Sequence, residues 1–337
     1  MTAPPPQNVL KAFPTCAIGT KGTPWGDAER AAWLATTAKQ RDYFNDVVSP
    51  LHRLTHPGAT VFQYGEIDYR RCGAARYPLF AVRSEPWDAA LPMCVVTGGV
   101  HGYETSGVHG ALLFVTRDFP AVSGPASAGG QGVNLLVLPC VSPWGYEAIH
   151  RWTPDAIDPN RQFLPEKPGC PEAAAAMAVI AEYGARSAKV IMHVDLHETT
   201  DTDNSVFRPQ LFARDGREPD PWSEIPDGFY NVGDARRPAP AFQKAVIDAV
   251  AKVTHIAEPD EHGNIIGVPL AQRGVINYPG VGLCGNHTAA TFVATTEVYP
   301  DSPKATPEQC NEAQAAVVLA GVAYAVAHHA DRDAAAA

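Results

Sequence analysis

Where apolar runs end in this chain, residues able to hold a cation appear. The stretch VVTGGVHGYETSGVHG, residues 95–110, sets His101 and Glu104 three positions apart just after a run of apolar residues. That spacing lets both side chains lie on one side of a turn and meet one ion; a polar turn closing a buried strand is the bland alternative. A third group stands in VDLHETTDTD, where His197 again follows an apolar run. Two imidazoles and one carboxylate, with a fourth position left to water, are a common ligand set for catalytic zinc. Taken alone, His197 reads equally well as a satisfied polar residue at a strand end.

Two further stretches carry groups that such a centre could use. RWTPDAIDPNRQF supplies Arg151, Asn160 and Arg161; guanidinium groups near a metal can grip a substrate carboxylate in fork geometry or stabilise an oxyanion, although isolated arginines are usually surface residues. In ATTEVYPDS, Glu297 ends a strand that otherwise reads as core. A carboxylate is costly to bury without a role, and beside an activated water this one could take a proton and later pass it to a leaving amine. A solvated strand-end glutamate is the plainer reading.

The scaffold for these residues is readable from periodicity. Segments 59–69 and 77–85 alternate as strands, while 92–100, 133–141, 189–196 and 290–298 are short apolar runs of the kind covered on both faces of a sheet. Helical spacing marks 26–54, 104–119, 171–188, 241–254 and 308–330. Alternating strands and helices predict an α/β fold, a mixed, mostly parallel central sheet with helices on both faces. Residues 1–55 are expected to form a lead-in and helical segment, and 56–337 one catalytic domain. The Pro-, Asp- and Arg-rich stretch 205–240 and the loops of 258–288 are expected to be ordered excursions that shape a pocket.

The order HxxE, Arg, Asn-Arg, His, Glu resembles the zinc carboxypeptidase (carboxypeptidase A-like) family over residues 90–300, with similarity to its succinylglutamate desuccinylase and aspartoacylase branch. SPWGYE at 142–147 resembles that family's NPDGY turn and DPNRQF its DLNRNF. The resemblance implies a carboxypeptidase-like sheet and zinc held by His101, Glu104 and His197. It also implies Asn160 and Arg161 on the substrate's terminal carboxylate, Arg151 polarising the scissile carbonyl, and Glu297 as general base and acid. The family's mobile tyrosine is matched loosely by Tyr278.

On this reading the chain is a zinc-dependent hydrolase that cleaves an amide bond beside a free carboxylate, in a short peptide or small molecule. Deacylation of an N-acyl amino acid and a catalytically silent metal- or ligand-binding module are the alternatives; DLHE at 195–198 looks closer to the desuccinylase branch than to digestive carboxypeptidases. One zinc ion is expected. His193, Asp195 and His197 alternate onto one strand face, which leaves room for a second ion, with Asp195 orienting a ligand by a hydrogen bond as the simpler role. His109 is expected to be structural.

Composition narrows the field. The 337 residues are 45% hydrophobic, as a soluble core requires, and carry 36 acidic against 26 basic side chains. A net charge of -10 argues against nucleic acid as a partner. No uninterrupted apolar run reaches a membrane-spanning length, and the start lacks a basic stretch followed by an apolar one. Seven scattered cysteines form no CxxC pair. A cytoplasmic protein with no membrane partner is therefore expected. A serine hydrolase is disfavoured, since no G-x-S-x-G elbow occurs.

Overall fold

The computed structural model describes residues 11–124 and 130–336; the first ten residues of the expected lead-in and positions 125–129 of the glycine-rich loop lie outside the described residues. The chain begins with α1 (Asp27–Leu34), whose N-terminus is closed by Gly26 N–H donating to the Glu29 carboxylate at 2.9 Å, and continues through a wide helical turn into α2 (Ser49–His52). Next come β1 (Ala59–Asp68), β2 (Arg76–Ser84) and β3 (Met93–Gly98), then α3 (Thr105–Leu113), the short α4 (Phe119–Val122) and β4 (Asn134–Leu138). After α5 (Pro143–Ala148) and α6 (Pro171–Ala185) the chain forms β5 (Val190–Glu198), α7 (Arg208–Asp215), β6 (Tyr230–Asp234) and α8 (Pro240–Val250). It closes with β7 (Asn264–Ile265), β8 (Val268–Gln272), β9 (Val275–Tyr278), β10 (Phe292–Val298) and α9 (Pro307–Ala336). Proline opens α5, α6 and α8, where its missing N–H costs nothing and its fixed φ suits the first turn.

The strands make one mixed ten-stranded sheet in the order β1-β2-β4-β3-β5-β10-β6-β9-β8-β7. Its middle, β4-β3-β5-β10, is wholly parallel, and antiparallel pairings dominate the flanks. Both faces of the middle are apolar because side chains alternate. Cys94, Val96, Leu135, Val137, Met192, Val194 and Leu196 pack in the cluster that includes α3, α8 and α9 residues. Met93, Val95, Leu136 and Leu138 pack on the other side with Ala173, Ala176, Ile180 and Tyr183 of α6.

Three features go beyond the sequence expectation. Residues 25–51 are part of the main core, since Trp25, Trp33, Tyr43, Val47 and Leu51 are buried in it. The regions expected as excursions contain β6, β7, β8 and β9, which are too short, at two to five residues, to show a readable period. Finally, part of α9 is long and apolar enough by composition to cross a membrane, but it packs along α3, α8, β5 and β10 as a core helix.

Candidate metal centre

The carboxyl ends of β3, β5 and β10 lie side by side, and α/β sheets bind ligands at that edge. The turn after β3 carries His101 and Glu104; His197 is the penultimate residue of β5, and Glu297 is its register partner on β10. Gly99 adopts φ +60° just beyond β3, a conformation that suits glycine and swings the chain off the strand. At Gly102 an added Cβ would lie 2.2 Å from Ser142 O and from Tyr146 N, so the His101 turn presses directly on the start of α5.

His101, Glu104 and His197 are all buried, and one ligand atom from each lies within 4.8 Å of the others. His101 Nδ1 is 2.8 Å from Glu104 Oε1 and His197 Nδ1 is 2.7 Å from Glu104 Oε2. Each ring is backed at its other nitrogen. His101 Nε2 meets Asp158 Oδ1 at 2.9 Å, and His197 Nε2 meets Asp195 Oδ2 at 2.7 Å. A carboxylate behind Nε2 keeps the proton there and turns the Nδ1 lone pair toward the site, the usual support of a metal-bound histidine.

This arrangement fits a divalent cation. With Nε2 protonated, Nδ1 and the Glu104 oxygens face one another at hydrogen-bond distance as acceptors, an arrangement that either a proton on Nδ1 or a cation between them completes. Glu104, Asp158 and Asp195 bring three negative charges to the imidazoles, against one guanidinium, Arg151. Burial works against its charge, yet Asp195 and Glu104 hold the His197 imidazole well above its usual range. Against the same opposition from burial, His101 and His197 hold the Glu104 carboxyl below the usual carboxylate range.

Arg151 is 13% exposed; its Nε donates to Asp158 Oδ2 at 3.1 Å, its Nη1 lies 3.7 Å from Glu104 Oε1, and its guanidinium covers the Phe207 ring at 4.2 Å. Glu297 accepts from Thr199 Oγ1 at 2.7 Å, and that hydroxyl also meets Tyr230 OH at 2.8 Å. Burial, opposed by nearby His197, pushes the Glu297 carboxyl up to about 8. Arg151, Arg161 and Glu297 share the lining of a cleft of about 520 Å³. A neighbouring hollow of about 350 Å³ meets it at Arg151, Glu198 and Phe207.

Two expected residues are placed elsewhere. The carboxamide of Asn160 is buried: Oδ1 accepts from Cys284 N–H at 2.8 Å, and Nδ2 lies 3.2 Å from His197 Nε2, a contact and not a hydrogen bond when Nε2 carries the proton. Asn160 lines neither hollow, whereas the exposed Arg161 does. Tyr278 ends β9 at 46% exposure, outside the cleft lining; the tyrosine that lines it is Tyr230. In the sheet Tyr278 is the register partner of Asp234 at the end of β6. His193 lies 3.2 Å from Thr97 Oγ1 in the core behind the site, and the same hydroxyl donates to Asp195 Oδ1 at 2.6 Å while the other oxygen of Asp195 orients His197, the role expected of it. His109 meets Tyr146 OH at 3.1 Å, outside the lining of the cleft.

Four participants have no role assigned from the sequence, although Glu198 and Asp203 stand close to His197 along the chain. Asp158, two residues before Asn160 in DPNRQF, supports His101 and Arg151 together; the need of any ligating histidine for a carboxylate behind it was the available signal. Glu198 accepts from Thr105 and Ser106 N–H at 3.1 and 2.7 Å, tying the N-terminus of α3 to β5. Asp203 accepts from Tyr103 OH at 3.0 Å. Arg208 also lines the larger cleft. No local pattern marks either of the last two.

No family model and no curated protein matches this chain. Solved structures do. A candidate metallopeptidase from Shewanella denitrificans superposes with a TM-score of 0.59 at 18% identity, covering 84% of this chain and 89% of that one. Another from Shewanella amazonensis gives 0.58 at 21% identity, with 88% and 92% covered. A metallo-carboxypeptidase from Burkholderia cenocepacia gives 0.50 at 16% identity, with 89% and 69% covered. The chain therefore carries the fold of the metallopeptidases and metallo-carboxypeptidases.

Proposed function

We propose that the protein is a zinc-dependent hydrolase that cleaves an amide bond next to a free carboxylate. The carrying observation is the His101–Glu104–His197 group at one strand edge with Glu297 on the adjoining strand. His101, Glu104 and His197 would hold the ion through two Nδ1 atoms and a carboxylate, the donor set of catalytic zinc. When bound, zinc supplies Lewis acidity toward a carbonyl and acidifies water. Asp158 and Asp195 keep the two imidazoles in the tautomer that offers Nδ1. Glu297, steadied by Thr199, accepts a proton at the cleft wall and returns it to the leaving nitrogen. Arg151 sets a fixed positive charge where a carbonyl oxygen gains negative charge, and the exposed Arg161 takes the substrate carboxylate in fork geometry. The buried Asn160 positions the 158–161 turn.

Metal analysis of the purified protein, together with hydrolysis of blocked dipeptides and N-acyl amino acids, tests this reading. Close to one zinc per chain is expected, with turnover of one of the two substrate classes. Glu297→Gln should keep the zinc and lower kcat by about 10² to 10⁴. Full activity in that variant would remove Glu297 from the mechanism; a protein that takes up no divalent metal would end the proposal.

A further inference from the structure

The larger cleft holds three guanidinium groups in a chain whose net charge is -10. They differ in what they are already doing. Arg151 is engaged with Asp158 and stacked on Phe207. Arg161 donates to the backbone oxygen of Asn160 at 2.8 Å and, among the described residues, forms no ion pair within 4.0 Å, although its charge acts on Asp158. Arg208, in the first turn of α7, is half-buried, and among the described residues it forms no ion pair within 4.0 Å. Its guanidinium lies 5.8 Å from the centre of the Phe13 ring, and its charge also acts on Asp220 and Tyr230.

The carboxylates that share the cleft are bonded to other groups, and the charge of Arg208 reaches one of them, Asp220, only at a distance beyond an ion pair. Asp220 accepts from Arg217 Nη1 and Nη2 at 2.6 and 3.2 Å, one bond to each oxygen. Asp203 takes Tyr103 OH on one oxygen and Thr200 N–H on the other. Glu198 is held by two backbone N–H groups of α3, and Glu297 by Thr199. Arg208 nonetheless stands close enough to the chemistry for its charge to act on Tyr230, whose hydroxyl meets the Thr199 that bonds Glu297. A guanidinium on a concave wall that forms no close ion pair can take an anion, since a charge-assisted bond is strong there.

We propose that Arg208 is a specificity-determining residue that pairs with a second acidic group on the substrate, so that the cleft selects a terminal aspartate or glutamate. The inference rests on the proposed hydrolase only for the identity of the first carboxylate, the one taken by Arg161. Leu211, Ile266 and Tyr230 give the same wall apolar surface for the intervening methylenes.

Two measurements test it. The first is equilibrium binding of N-acetylglutamate and N-acetylglutamine, measured by calorimetry on the protein both as purified and after metal removal. Wild type should favour the glutamate probe by about tenfold or more. Arg208→Gln should erase that preference, Arg208→Lys should restore part of it, and Arg208→Glu should reverse it. Melting temperatures of the variants should stay near that of wild type, which separates lost recognition from loosened packing on Phe13. The second is hydrolysis of hippuryl-glutamate against hippuryl-glutamine, where the glutamate advantage should appear in KM and vanish in Arg208→Gln. Equal affinity for the two probes in wild type, or an undiminished preference in Arg208→Gln, overturns the inference. Selective binding without hydrolysis of either substrate would leave Arg208 its role and count against the hydrolase instead.

Discussion

At the scale of the residue, the centre is defined by pairs in which one side chain disciplines another. Asp195 and Asp158 each hold an imidazole by its Nε2. Replacing either by asparagine keeps the volume but removes the charge that favours the right tautomer. Asp195→Asn is expected to weaken zinc binding by about 10- to 100-fold in a chelator-competition titration, with little change in melting temperature of the metal-free protein. Asp158→Asn should cost at least as much, because Arg151 loses its partner too. His101, Glu104, His197 and Glu297 were legible because each is a polar residue closing an apolar run, a local signal. Asp158 was quoted in a motif yet had no visible reason to matter until the fold set it against His101, 57 positions away. Tyr278 shows the reverse, an apparent match by order that stands outside the cleft lining.

At the scale of the element, the site depends on how tightly the β3–α3 turn fits against α5. Gly102 has no room for a side chain, so Gly102→Ala is expected to lower stability by more than about 2 kcal/mol, read as a fall in Tm by calorimetry, and to reduce zinc retention as the His101 turn shifts. The wall of the cleft is held from behind. Phe13 packs on Phe212 and Trp222 with ring centroids 5.1 and 4.9 Å apart, and so braces α7 and the segment after it. Phe13→Ala should therefore raise KM more than it lowers kcat, since it loosens α7 and not the metal ligands; steady-state kinetics at fixed zinc would check this. The strands β3, β4, β5 and β10 were readable from sequence as short apolar runs. β6 to β9 were not, because strands of two to five residues are held by pairing with neighbours and carry little pattern of their own.

At the scale of the whole molecule, burial of charge sets how stability responds to pH. Glu172 on α6 is buried, accepts from Tyr69 OH at 2.7 Å, and is pushed by that burial up to about 7. Its folded pKa lies above its unfolded value, so between about pH 4.5 and 7 the unfolded chain binds fewer protons than the fold and stability falls as pH rises through that window. The contribution is on the order of 3 kcal/mol across it. Glu172→Gln should flatten this part of the profile in urea unfolding measured from pH 4.5 to 7.5; an unchanged slope would mean that the carboxyl titrates normally. What the sequence alone determined was local: the apolar strands, the helices, and four polar groups that strand ends would present at one edge. These follow from periodicity and from the price of burying a charge, both readable within a dozen residues. Only the tertiary structure decided which distant carboxylates stand behind the ligands, that Asn160 is spent on positioning, and that Arg208 lines the cleft with no close ion pair among the described residues. Those relations join residues tens of positions apart, and they are set by how the parallel strands stack side by side, which no spacing along the chain encodes.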